Sequence, residues 1–310
     1  VGAPLVVSLG DPAGIGPEVA LRAVEGRDDC RVVGDAALIA AACQRLGIEP
    51  PRHVHSPAEV ACPPELLFAG EPHAACGRAA AAAVREGARL VAEGEGAALV
   101  TAPLNKQALG LAGEPYPGHT ELLAALFGGA RVRMLLQGPS LRVVLVTIHE
   151  ALRAVADLVD EAGIVETCQF ADAFLRRQGI AAPRLAVCAL NPHAGDGGRF
   201  GDEDQRVVAP AVTRACELGL DVRGPFAADT LFPQAARDDS PYHAVVAMYH
   251  DQGLIPVKLA NFGQATNVTL GLPIVRTSPD HGTAFDIAGK GLADPSSFVA
   301  ALRVAAELSA

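Results

Sequence analysis

The sequence predicts an α/β protein built on mostly parallel sheets, and three features carry that prediction. Short apolar runs rich in β-branched residues recur along the chain: LVVSLG (5–10), RVVGD (31–35), AALVTAP (97–103), VVLVTI (143–148), RLAVCAL (184–190) and AVVAMY (244–249). Segments of helical composition separate them. The runs are continuously apolar instead of alternating, as strands covered on both faces by helices must be. At 310 residues the chain exceeds the comfortable size of one compact domain, which predicts two.

The elements follow in order. The strand at 5–10 runs into Asp11-Pro12-Ala13-Gly14-Ile15-Gly16-Pro17-Glu18, a glycine-rich turn leading to a helix. Pro17 suits a first-turn position and Glu18 the positive end of the helix dipole. Gly10, Gly14 and Gly16 do not form G-x-G-x-x-G, so the Rossmann fingerprint is absent, and the spacing is equally that of a plain tight turn. Helices are expected over about 36–46 and 73–94, with a proline-rich connection at 50–65. Pro117-Gly118-His119-Thr120-Glu121 opens another helix. An anion fits at such a helix start, and so does simple capping by Thr120 with His119 facing solvent. Further helices are expected at about 150–161, 164–178 and 202–219, strands at 266–271 and 273–278, and a closing helix at 294–308.

Composition excludes some classes. A net charge of -10 argues against neutralisation of nucleic-acid phosphates, but a few local cations can still hold a small anion. Seven scattered cysteines, an odd number without a C-x-x-C pair, suit free thiols in a reducing cytoplasm. No basic and apolar signal segment precedes the first strand-like run, and no stretch reaches the roughly 18 apolar residues of a membrane span. The prediction is a cytoplasmic protein with no membrane and no nucleic-acid partner.

Chemistry-bearing residues gather at the ends of strands. His149, His193 and His250 each follow an apolar run, and in parallel sheets ligands bind beyond the carboxyl ends of strands. Three imidazoles suit a divalent metal such as Zn²⁺, Co²⁺ or Ni²⁺ and leave a position open for substrate; strand-end polar residues also serve simply to satisfy backbone groups. Asp229 and Asp251 are candidate ligands or carboxylates that orient imidazoles, Asp229 being equally an N-cap. Lys258, Asn267 and Arg276 suit an anionic substrate, and an arginine inside the apolar run PIVRTS needs a partner. The glycine-rich stretch 191–204 reads as a flexible loop leading to a helix with an acidic first turn. No P-loop, G-x-S-x-G elbow or cysteine-nucleophile context is present.

Taken together, SLGDPAGIGPE, TAPLNK, PGHTE, NPHAGDGGRFGDED, ADTLF, MYHDQGLIPVK and NVTLGLPIVRTSPDHGTAFDIAGKG resemble the 4-hydroxythreonine-4-phosphate dehydrogenase (PdxA) family over Ser8 to about Phe298. GDPAGIGPE and HGTAFDIAGKG also resemble motifs of the isocitrate and isopropylmalate dehydrogenases. The resemblance implies an isopropylmalate-dehydrogenase-like fold: two α/β/α domains with mostly parallel sheets, expected at 1–125 plus 275–310 and at 126–274, with the active site in the cleft between them. It implies a homodimer with the site at the interface. It places a divalent metal (Zn, Co or Mg) on His149, His193 and His250, and substrate on His119, Thr120, Lys258, Asn267 and Arg276. Asp229 and Asp251 match the family's cleft aspartates, and Lys258, Asp251 and Asp229 become the catalytic candidates. Asp11, Gly14, His281, Gly282, Thr283 and Asp286 become candidates for NAD or NADP. The implied reaction is oxidation and decarboxylation of 4-phosphohydroxy-L-threonine in pyridoxal phosphate biosynthesis. A subgroup of the family acts on threonate or erythronate 4-phosphate. Two positions depart from the family pattern, Ala227 for proline and Glu150 for an uncharged residue. A hydrolase using the same histidines is the reading from another class, although a hydrolase needs no dinucleotide loop.

Overall fold

The computed structural model describes residues 2–57, 61–261 and 263–309. Among them lie eleven strands: β1 (Leu5–Ser8), β2 (Cys30–Val33), β3 (Val54–His55), β4 (Ala98–Thr101), β5 (Arg133–Gln137), β6 (Arg142–Leu145), β7 (Arg184–Cys188), β8 (Asp221–Phe226), β9 (Ala244–Ala247), β10 (Thr266–Leu270) and β11 (Arg276–Pro279). The chain divides into two compact units, Val1–Val132 with Leu272–Ala310, and Arg133–Gly271.

In the first unit the strands run β3-β2-β1-β4-β11, and the pairs are parallel. All four residues of β1 and of β4 are buried, so both faces of these strands are covered, which explains their unbroken apolar sequence. The helix Gly16–Val24 leads from β1 to β2, and the helix Ala74–Ala92 leads to β4 beyond the other edge of β1. Strand order therefore reverses at β1/β4, the switch point beyond which ligands bind in open parallel sheets. The core joins Val6, Val33 and Leu99 to Val84 and Leu90 of the Ala74–Ala92 helix.

In the second unit the order is β10-β5-β6-β9-β7-β8. β6, β9, β7 and β8 pair in parallel, whereas β5 is antiparallel to both β10 and β6. Val143, Leu145, Val245 and Ala247 pack with Leu231, Leu254 and Val257 in its core.

Several strands are shorter than their apolar runs. β6 stops at Leu145 and β9 at Ala247, so the last residues of VVLVTI and AVVAMY already belong to loops. β11 begins at Arg276, not at Pro273: a proline lacks the N–H a ladder needs, and the chain bends through 272–274. The helix expected at 202–219 opens with a wide π-type turn, Asp204–Val208, before Ala209–Glu217. All seven cysteines are free thiols. No described helix is long and apolar enough to cross a membrane.

Candidate active site

In the second unit the three predicted imidazoles follow three neighbouring strands, β6, β9 and β7. His149 and His250 are brought together, their ring centroids 5.6 Å apart at 39°. His250 opens the helix His250–Ala260, and its Nδ1 lies 2.7 Å from Asp251 Oδ1. A carboxylate partner makes Nδ1 the protonated nitrogen, which leaves Nε2 with its lone pair available. His193 does not join this pair; its ring lies 6.3 Å from that of Phe200. Among the described residues, no three His, Cys, Asp or Glu side chains stand close enough to hold an ion.

The loop that carries His193 is braced, not loose. His193, Ala194 and Asp196 have φ of 55°, 54° and 43°, and Gly195, Gly197 and Gly198 continue the left-handed path. Each non-glycine residue there costs roughly 1–3 kcal/mol, so surrounding bonds must impose the conformation. Buried Asp204 does so, accepting the N–H groups of Leu190 (2.6 Å) and Asn191 (3.0 Å). Asn191 donates its side-chain amide to Glu203 at 2.8 Å, and Phe200 N–H donates to the Gly195 carbonyl at 3.1 Å. The sequence placed Asp204 in an acidic helix turn facing the dipole. It is turned inward because two strand-end N–H groups need an acceptor.

Two cavities flank these histidines. One of about 520 Å³ is lined by Asn191, His193, Asp229, Tyr249, Asp251 and Ile255 among others. A second, of about 390 Å³, is lined by His149, Glu150, Tyr249, His250 and Asp251 with apolar neighbours. Tyr249 and Asp251 thus line both. Asp229 is exposed in the first turn of Ala228–Ala235 and is not its cap, which is Ala227. Lys258 is exposed on the His250–Ala260 helix, seven residues after Asp251. Seven residues are two turns, so the two share a face at a rise of roughly 10 Å. Asn267 is half-buried on β10, in register with Leu136 of β5.

In the first unit, the Arg276 charge lies near His119, and Thr120 follows His119 in the helix His119–Leu126. Arg276 is 3% exposed, and its Nε and Nη2 donate to Thr101 Oγ1 at 3.1 and 2.6 Å. Burial lowers its pKa to about 10, with Glu121 opposing, so it stays charged at neutral pH. His119 opens the helix His119–Leu126. It is half-buried, and its Nε2 is enclosed without a hydrogen-bond partner. Burial first and the Arg276 charge second hold it well below the usual histidine range, so the ring is neutral. Thr120 does not cap the helix; the capping position is Gly118, with no side-chain cap bond. Thr101, which seats the guanidinium, was visible in the sequence only as a strand end.

The predicted dinucleotide residues also converge in this unit. Ile15 N–H donates to the Thr283 carbonyl at 2.9 Å, and a β-carbon on Gly14 would lie 2.7 Å from that oxygen. Asp11 N–H donates to the Pro103 carbonyl at 2.8 Å, which seats the loop beyond β1 and β4. The Asp11 side chain accepts from Ala13 N–H at 2.9 Å through Oδ1, while its Oδ2 is buried without a partner. Burial raises this carboxyl to about 6, opposed by the Ala13 bond and by His73. His281 Nε2 is likewise enclosed without a partner, its Nδ1 lying 3.1 Å from the Gly282 carbonyl. Gly282 and Asp286 are exposed on the same loop. Buried polar atoms normally find a partner, so Asp11 Oδ2 and His281 Nε2 are groups a polar ligand can satisfy.

Residues 27–305 match the family described as pyridoxal phosphate biosynthetic protein PdxA. A 4-hydroxythreonine-4-phosphate dehydrogenase of Geobacter metallireducens is 47% identical, covering 98% of this chain and 95% of that protein. A D-threonate 4-phosphate dehydrogenase of Salmonella typhimurium is 42% identical over 98% of each. The crystal structure of 4-hydroxythreonine-4-phosphate dehydrogenase from Klebsiella pneumoniae shares the fold with a TM-score of 0.87 at 40% identity, covering 100% of both chains. Parallel-sheet topology, a braced strand-end loop and these matches along nearly the whole chain agree: the protein belongs to the PdxA family and is an oxidoreductase.

Proposed function

We propose that the protein oxidises and decarboxylates 4-phosphohydroxy-L-threonine with NAD or NADP and a divalent metal (Zn, Co or Mg), giving 3-amino-2-oxopropyl phosphate and CO2. The observation that carries this reading is the His149–His250 pair with Asp251 on His250 Nδ1. Its donor chemistry fits a metal, with His193 as the third imidazole. Because His193 stands apart within one chain, the proposal is a homodimer in which one imidazole comes from the second copy. Leu152 supports that reading: it lines the cavity beside this pair and is an exposed apolar side chain, 70% accessible.

The residues of the chain divide the work. Charged Arg276, seated on Thr101, and neutral His119 with Thr120 bind the phosphate; Lys258 and Asn267 add contacts to the anionic substrate. Thr283 and Gly14 bring two loops close enough for backbone to meet a dinucleotide, while Asp11, His281, Gly282 and Asp286 supply polar contacts. When bound, the cation would supply Lewis-acid polarisation at the C3 oxygen, and the dinucleotide would supply the hydride acceptor. Lys258 takes the C3 hydroxyl proton and returns a proton to the carbon that CO2 leaves. Asp251 and Asp229 hold the imidazole side of the site in orientation.

The 42% identity to a D-threonate 4-phosphate dehydrogenase favours a second reading, oxidation of D-threonate or D-erythronate 4-phosphate by the same residues. An assay of NADH or NADPH formation on 4-phosphohydroxythreonine and on threonate 4-phosphate tests both. Turnover of the first supports the leading reading, and turnover of threonate 4-phosphate alone supports the second. Reduction of neither dinucleotide with either substrate overturns both.

A further inference from the structure

We propose that Glu150 is a specificity determinant that recognises the α-ammonium of an amino-acid phosphate. The inference rests on the dehydrogenase reading above and names the substrate feature that this site selects.

The cavity beside His149 and His250 contains two carboxylates, Glu150 and Asp251. Asp251 is engaged by the His250 ring at 2.7 Å. Glu150 is exposed, and among the described residues none forms a hydrogen bond or ion pair with it. It follows His149 directly and lines the same cavity. Glu150 is therefore the uncommitted anion at the imidazole pair.

The two candidate substrates differ in charge where this matters. 4-Phosphohydroxythreonine carries an ammonium group beside its carboxylate, and threonate 4-phosphate carries a neutral hydroxyl there. Both carry a phosphate and a carboxylate, so repulsion between these and Glu150 acts on both alike and cancels in a ratio of rates. What remains is attraction of the carboxylate for the ammonium, a charge-assisted hydrogen bond weakened by partial exposure to solvent. That favours the amino substrate by about tenfold.

The test compares kcat/KM for the two substrates in the wild-type homodimer, Glu150→Gln and Glu150→Asp, with bound metal and thermal midpoint measured alongside. The expected result is a wild-type preference for 4-phosphohydroxythreonine that falls about tenfold in Glu150→Gln and is largely restored in Glu150→Asp, at equal metal content. An unchanged ratio in Glu150→Gln overturns the proposal, as does a wild type that prefers threonate 4-phosphate; both outcomes leave the dehydrogenase reading standing. A wild type inactive on both substrates overturns that reading, and the proposal with it.

Discussion

Gly14 lies directly against Thr283: the neighbouring Ile15 N–H donates to the Thr283 carbonyl across 2.9 Å, and a β-carbon on Gly14 would stand 2.7 Å from that oxygen. Two loops far apart in sequence are joined here by backbone approach. Gly14→Ala therefore forces them apart, at a cost of about 1–3 kcal/mol from overpacking. The expected outcome is a lower melting temperature and a KM for the dinucleotide raised about tenfold or more, with the KM for the phosphorylated substrate changed less. Steady-state kinetics with each substrate varied in turn checks this; an unchanged dinucleotide KM contradicts the role of the contact.

Much of this arrangement was legible in the sequence because parallel strands announce themselves. Continuous apolar runs marked β1, β4, β6, β7 and β9, and their ends marked His149, His193 and His250. Other parts were not legible. Asp204 looks like a helix-dipole residue until the unsatisfied N–H groups of Leu190 and Asn191 are known. The left-handed turn at 193–197 leaves a signal only in its glycines, since His193, Ala194 and Asp196 resist that conformation. Thr101 and Arg276 are 175 positions apart, and no periodicity reports such a contact.

Asp204 tests whether the left-handed turn matters. Asp204→Asn replaces one acceptor oxygen with an N–H donor facing the Leu190 or Asn191 N–H. Leaving a buried donor unsatisfied costs about 1–3 kcal/mol. A lower unfolding free energy and a kcat reduced by an order of magnitude or more are expected, because the turn that places His193 loses its brace. Full activity in a destabilised variant would show that His193 needs no such positioning.

Asp11 sets a pH dependence of stability. Burial raises its carboxyl to about 6 from an ordinary value of 3.8, so the folded state binds the extra proton between those values. Stability from this group is fully present below about 4 and is lost as pH rises toward 6, by about 3 kcal/mol in total. Asp11→Asn keeps the acceptor for Ala13 and removes the charge. The variant should match the wild type near pH 4 and exceed it near pH 8; denaturant titrations at both pH values check the sign. Equal stability gaps at the two pH values contradict it.

Asp251 orients His250 through Nδ1 at 2.7 Å. Asp251→Asn removes the charge that fixes the tautomer, and metal affinity should fall about 10–100-fold. Competition with a chelating dye measures this directly. The melting temperature of the metal-free protein should change little, since the exposed pair contributes little to folding.

A single metal-assisted site that oxidises its substrate and then releases CO2 would form both products together. The most direct measurement is simultaneous recording of reduced dinucleotide and CO2 from 4-phosphohydroxythreonine, before chelation, after chelation, and after return of Zn²⁺, Co²⁺ or Mg²⁺. Equimolar formation of both products, abolished by the chelator and restored by at least one of the metals, is expected. Reduced dinucleotide without CO2, or product formation untouched by complete metal removal, would contradict it.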